Sequence, residues 1–306
     1  MGAYAGLRLV VGKSVSSFEV KRRFRCCART TPPAYPTFAC DHRQLIHTPM
    51  RVPGLVSLVS GGASGLGAAV ARRLVASGGK VLVADLNGDA AKALAAELGS
   101  SAAACQIDCT SEADVNAALD LAESTFGLGP VAAAVSTAGT LFAAKTVSRK
   151  GVAHPLDPFE KVLKVNVLGS FNVARLSAQR MSAREPDAAT GERGVVVQTA
   201  SIAAFDGQAG QIAYSASKGA LVGMTLPMAR DLAPLGIRVI TVAPGIFETP
   251  MMAAAPDTLR ESLCSSIPFP PRFGAPDEFA GLIEHAIENA YLNGEVIRLD
   301  GAVRMQ

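Results

Sequence analysis

The sequence predicts one α/β domain, a doubly wound parallel sheet flanked by helices. Apolar strands of four to seven residues alternate with helix-length segments from about Gly54 to the C-terminus. The first strand runs directly into a glycine-rich turn that opens a helix. Apolar residues make up 49% of 306 residues, enough to cover such a sheet on both faces, and no internal repeat or low-complexity tract interrupts them.

The elements follow in order. Leu55–Ser60 reads as a short buried strand, and Leu66–Ala76 as a helix ending at Gly78-Gly79. Val81–Ala84 is a second strand, followed by the Ala-rich helix Gly88–Leu98. Ala102–Ile107 is a third strand, and a helix begins at Ser111, where Ser111-x-x-Asp114 has the form of a capping box. Val131–Val135, Val195–Thr199 and Ile237–Val242 are further strands, with helices at Pro158–Met181 and Ile212–Leu232 between them. Glu295–Leu299 closes the sheet. Near-continuous apolar strands joined by helix-length crossovers are the pattern of a buried parallel sheet.

Charge divides the chain at about residue 51. Residues 1–51 carry nine Lys or Arg against Glu19 and Asp41, a net +7. The remaining 20 basic and 24 acidic residues leave 52–306 at −4. The head also holds Ser14, Ser16, Ser17, Thr30 and Thr31, then Pro32, Pro33 and Pro36. An Arg-rich, hydroxyl-rich, acid-poor N-terminus has the composition of a mitochondrial transit segment, which sets the expectation of a matrix protein with an enzyme-sized body from residue 52. Six Cys without paired spacing exclude a disulfide scaffold, and four scattered His argue against a zinc enzyme. The uncharged stretches Val52–Ala71 and Thr125–Ala144 are long enough to span a bilayer, but both break into strand-then-glycine patterns, so no membrane partner is expected. The acidic body has no basic stripe, so direct nucleic-acid contact is not expected either.

Two constellations carry chemistry. In Ser60-Gly61-Gly62-Ala63-Ser64-Gly65-Leu66-Gly67, Gly61 suits a tight turn and Gly65 a close approach of backbone to a pyrophosphate. Gly67 suits close helix–strand packing, and the helix N-terminus offers free N–H groups to phosphate. Such a turn between strand and helix is the Rossmann dinucleotide fingerprint. Asp85 ends the second strand 18 residues past Gly67, where a carboxylate accepts ribose hydroxyls and repels a 2′-phosphate, selecting NAD over NADP. In the second constellation Tyr214 and Lys218 stand four apart on one helix face, and Ser201 lies at the exit of a strand. A phenol is a weak base at neutral pH unless a nearby cation stabilises the phenolate, which Lys218 can supply. Ser201 would then steady a substrate oxygen, with Asn166 anchoring a water chain to Lys218.

Ser60–Gly67, Asp85, Asn166, Ser201, Tyr214-x-x-x-Lys218 and Pro244-Gly245 together resemble the short-chain dehydrogenase/reductase family over residues 52–306. The resemblance implies a single-domain Rossmann enzyme, a homotetramer, with Ser201, Tyr214, Lys218 and Asn166 as catalytic tetrad. The run Gln208–Gly219, the segment Gly223–Ala233, the tail Leu292–Gln306, the loop Lys145–Pro158 and the insertion Glu185–Arg193 resemble members that act on acyl-CoA thioesters. For those the implied reaction is NAD-linked oxidation of the 3-hydroxyl of short-chain or branched 3-hydroxyacyl-CoA, with hydroxysteroids as a secondary class. The implied cofactor positions are Ser60, Gly61, Ser64, Gly65, Leu66, Gly67, Asp85, Asp108, Cys109, Ala138, Gly139, Tyr214, Lys218, Pro244, Gly245, Phe247 and Thr249. Gln208 joins Ser201 and Tyr214 toward substrate, and Phe247–Pro270 would form a lid. Alternatives within the resemblance are a structural subunit of a mitochondrial tRNA-processing complex and a 3-ketoacyl-carrier-protein reductase. For the reductase, Asp85 is the wrong residue. The sequence departs from the family pattern at Ser136-Thr137-Ala138-Gly139, where two asparagines are implied before Ala-Gly. At Glu248 a glycine is implied, and the change adds negative charge beside the site.

Overall fold

The computed structural model describes residues 50–253 and 255–305; the basic head, with its expected transit function, lies outside them. Seven strands form one parallel sheet in the order β3-β2-β1-β4-β5-β6-β7. They are β1 Val56–Ser60, β2 Lys80–Asp85, β3 Ala102–Gln106, β4 Ala133–Ser136, β5 Gly194–Thr199, β6 Ile237–Pro244 and β7 Val296–Leu299. β1, β4, β5 and β6 are buried along their whole length, which follows from their unbroken apolar character and the helices that cover both faces.

On one face lie α1 Gly65–Ala76, α2 Gly88–Leu98 and α9 Pro276–Glu288, packed through Leu74, Leu94, Phe279 and Ile283 against Val59, Val135, Val197 and Ile240. On the other lie α3 Glu112–Phe126, α5 Ser170–Ser182 and α6 Ile212–Leu232, whose Leu119, Leu176 and Met228 meet Leu58, Ala134 and Val196. Strand order reverses between β1 and β4, and in an open sheet of this kind the crevice at that reversal receives ligand beyond the strands' carboxyl ends.

Four details differ from the sequence expectation. Met50 packs on the core, and Arg51 pairs with Glu288 at 3.2 Å, so the body begins at or before residue 50. The fourth strand is Ala133–Ser136, with Val131 and Ala132 buried just ahead of the ladder. The helix expected over Pro158–Met181 is α4 Leu156–Leu163, a π-helical turn Lys164–Gly169, and α5. Single π turns concentrate at functional positions, and this one carries Asn166. At the start of α3, Ser111 Oγ accepts the Asp114 N–H and donates to Asp114 Oδ1, while Asp114 Oδ2 takes the Asp108 N–H at 2.9 Å in place of the Ser111 N–H that a full capping box would use. Past β6, the expected lid contains α7 Pro250–Ala253 and α8 Asp257–Ser265.

Candidate active site

The glycine turn is shaped by contacts that no side chain survives. Gly61 has φ +73° and its N–H donates to the Ala84 carbonyl at 2.8 Å. A Cβ on Gly61 would collide with the Ala138 backbone, and one on Gly67 with the Gly61 carbonyl and Thr137 Oγ1. Thr137 Oγ1 donates to the Ser60 carbonyl at 2.8 Å and to the Gly61 carbonyl at 3.1 Å. At the position where the family pattern implies an asparagine, a hydroxyl thus ties β4 to the glycine loop. Ser64 is the N-cap of α1, with Leu66 half-buried behind it.

Asp85 lies at the end of β2, as expected, and has a further task. Its Oδ2 accepts the Ala63 N–H and its Oδ1 the Asn87 N–H, both at 3.0 Å, so it pins the glycine loop as well as edging the crevice. Beside it, the Asp108 carboxylate is engaged by the Thr110 N–H and hydroxyl. The Cys109 thiol is buried, which together with the Asp108 charge pushes its pKa up to about 11, so it stays protonated. The Cys109 carbonyl accepts from Asn172 at 2.9 Å.

Ser201, Tyr214, Lys218 and Asn166 converge from three elements. Lys218 is 4% exposed, its Nζ donates to the Thr199 carbonyl at 2.7 Å, and it lies 5.7 Å from the Tyr214 ring centroid. Burial without a carboxylate lowers its pKa to about 8. Asn166 is fully buried; its Oδ1 accepts the Thr140 N–H and its Nδ2 donates to the Thr140 carbonyl and to Ser217 Oγ. Burial pushes the Tyr214 phenol up, and a hydrogen bond with Ser201 pulls in the opposite direction. The lowering of the phenol expected from Lys218 is not seen in the protein alone: burial is the dominant influence and Ser201 the opposing one, so the resting phenol is protonated. Ser201 Oγ also accepts the Ala203 N–H at 3.1 Å.

Gly139 completes this cluster. A Cβ there would lie 3.5 Å from Lys218 Nζ and 3.4 Å from Asn166 Oδ1, so its backbone forms one wall of the cradle. Across the crevice, Thr249 Cγ2 stands 3.6 Å from the Cβ position of Gly65. Gly245, after Pro244, donates its N–H to Leu299 and has no room for a side chain against Asp300. The Phe247 ring is committed to the core, edge-on to Phe279 at 6.1 Å, so only its backbone is available to a cofactor. Gln208 stands on the segment between Ser201 and Tyr214, its N–H donating to Gln211 Oε1. The charge expected from Glu248 is balanced: Arg260 of α8 bonds both carboxylate oxygens at 2.9 and 3.0 Å. Thr137, Thr199 and Ser217 are parts of the site that motif reading passed over; Ser217 lies one helical turn after Tyr214, which is the signal that was present. Among the described residues there is no cluster of metal-ligating side chains, and no helix is long and apolar enough to cross a membrane.

This geometry agrees with the family comparison, in which the model for short chain dehydrogenases matches residues 55–260. The chain belongs to the short-chain dehydrogenase family. It is accordingly an oxidoreductase of CH–OH groups. This dehydrogenase is 55% identical to the 3-hydroxyacyl-CoA dehydrogenase type-2 of Bos taurus over 83% of its own length and 97% of the bovine chain. A crystal structure of 3-hydroxyacyl-CoA dehydrogenase type-2 from Mycobacterium avium superposes with a TM-score of 0.80 at 44% identity, covering 83% of this chain and 97% of the other. A 3-ketoacyl-(acyl-carrier-protein) reductase from Brucella melitensis, solved with NADH, gives 0.71 at 29% identity over 82% and 98%.

Proposed function

We propose that this dehydrogenase uses NAD to oxidise the 3-hydroxyl of short-chain or branched (S)-3-hydroxyacyl-CoA thioesters. The observation that carries the reading is the buried Lys218, held beside Tyr214, Ser201 and Asn166 at the carboxyl edge of the sheet, next to a glycine cradle that a single Cβ would fill. Likeness to the bovine enzyme along almost all of its chain supports the acyl-CoA class.

The residues fit a dinucleotide. Backbone from Ser60 to Gly67 would hold the pyrophosphate, Asp85 the adenosine ribose, and Asp108 with Cys109 the adenine edge. Ala138, Gly139, Tyr214 and Lys218 would hold the nicotinamide ribose, with Pro244, Gly245 and Thr249 around the amide. When bound, the oxidised nicotinamide supplies the hydride acceptor and a positive charge beside the phenol. The chain's own work is at the proton. Ser201 Oγ donates to the substrate oxygen and fixes it; Tyr214, after its phenol has released its own proton toward Lys218 and solvent, takes the hydroxyl proton on Oη as the carbonyl forms. Lys218 holds charge behind the phenol, and Asn166 keeps the Lys218 pocket open through the 139–140 turn. Gln208 would line the acyl side. Homotetramer assembly and a mitochondrial matrix location belong to the same proposal, supported by the family and by the basic head respectively.

The test follows NADH appearance with the full chain, NAD and (S)-3-hydroxybutyryl-CoA, with NADP as control. NAD-linked turnover that vanishes in Tyr214→Phe is the expected result. Tight NAD binding without turnover would move the assignment to a different hydroxyl substrate.

A further inference from the structure

Asp206 lies five residues past Ser201 and two before Gln208, on the segment that joins β5 to α6. Its carboxylate is met from a distant part of the chain by Arg298 of β7, whose Nη2 donates to Oδ2 at 2.5 Å. The same guanidinium donates from Nε to Asp300 Oδ2 at 2.8 Å and from Nη2 to the Val303 carbonyl at 3.1 Å. It also lies 5.2 Å from the Phe205 ring centroid. Asp300 accepts from Arg304 Nη1 and from the Ala302 N–H, both at 3.0 Å. Beneath this network Ile202, next to Ser201, packs with Val303 of the C-terminal tail and Ile267 of the lid.

One planar cation thus joins the loop after Ser201, the strand β7 and the tail. Such a junction needs several donors in a fixed fork together with a face that stacks, which an ammonium does not offer. The two acids differ in what they would keep without it. Asp300 retains Arg304, whereas Asp206 would face the Asp300 charge across the space the guanidinium leaves. The pyrophosphate cradle lies at β1 on the far side of β4 and β5, and on the nicotinamide side the network meets only the backbone of Gly245, through Asp300, which keeps Arg304 as a partner.

We propose that Arg298 is the positioning residue of the substrate loop: through Asp206 it sets where Ser201 and Gln208 meet the alcohol. The inference rests on the hydroxyl-oxidation reading above. In the full chain, Arg298→Met raises KM for the 3-hydroxyacyl thioester about tenfold, with kcat changed less than about threefold and NAD affinity unaltered. Adding Asp206→Asn recovers most of the lost KM, since it removes the unpaired carboxylate; a merely structural role would make the two losses add. An unchanged KM in folded Arg298→Met, or a double variant no better than the single one, overturns the proposal. Failure of the wild type to turn over the thioester would instead sink the functional reading. In that event amide exchange still decides: in Arg298→Met the amides of Ala204, Phe205 and Asp206 exchange at least about tenfold faster while those of Val195–Thr199 do not. Equal exchange in the two proteins overturns the role of Arg298 independently of any substrate.

Discussion

Two buried cations stand at opposite ends of the central sheet, and they are treated differently. At the amino edge Arg238, in β6, donates to Glu192 at 2.6 Å, to the carbonyls of Ala286 and Ile287 at the end of α9, and to that of Leu292 beyond it. Almost all of its hydrogen-bonding capacity is used inside the protein. At the carboxyl edge Lys218 has one backbone carbonyl, an aromatic ring and no carboxylate. The first arrangement locks a helix to a strand and leaves little for a ligand to improve. The second leaves a charge under-compensated in a dry site, and that residual cost is what an incoming ribose, phenolate or substrate oxygen relieves. Stability and reactivity are thus separated along the strands of one sheet.

The sharpest way to break this contrast is to remove each cation and compare. Lys218→Met should lower kcat by about 10²–10⁴-fold while leaving the urea midpoint at or above that of the wild type. A large loss of stability would place Lys218 with the structural cations. Arg238→Met should cost about 3–5 kcal/mol, measured by urea unfolding, because Glu192 is left buried with no counter-charge. The paired change Arg238→Met with Glu192→Leu should regain most of it, and a further loss in the double variant would contradict the pairing argument.

Titration tests the same point. The Lys218 pKa in the folded protein is about 8, below its ordinary 10.5, so the cost of burying the charge is fully present below pH 8. Between pH 8 and 10.5 the unfolded chain binds the proton and the folded one does not, so stability rises with pH across that window. The gain relative to Lys218→Met should reach about 3 kcal/mol, read as the difference between their urea midpoints. Parallel curves would mean that the ammonium is already well solvated.

Smaller effects refine the cofactor edge. Asp85→Ala should weaken NAD binding by about 1–3 kcal/mol and reduce the preference over NADP, since it removes both the carboxylate and the anchor of the Ala63 N–H. Unchanged selectivity in titrations of the two dinucleotides would remove Asp85 as discriminator. Thr137→Val should cost about 1 kcal/mol of stability by leaving the Ser60 and Gly61 carbonyls without their side-chain donor. No change in the urea midpoint would show that the turn holds itself.

Much of the fold was legible because its signals are local. Apolar strands of fixed length, Gly61 and Gly67 in a strand-to-helix turn, and Ser111 at a helix start act within a few residues of themselves. The tetrad was legible as a motif. The helix break at Lys164–Gly169 was not, because a π turn is chosen by what Asn166 must reach on the neighbouring Thr140 backbone. The balancing of Glu248 by Arg260 was also hidden, since the two are joined only by the way the chain turns between β6 and α8.

The sequence by itself determined the sheet, its helical cover, the glycine turn and the residue types of the site, because periodicity and backbone freedom are properties of short segments. Only the tertiary structure decided which charges are satisfied. Nothing near Arg238 in the chain marks it as buried and paired, and Arg298 is 92 residues from Asp206. A side chain's electrostatic role depends on its burial and on the partners that distant segments bring to it, and neither is encoded in its neighbours along the sequence.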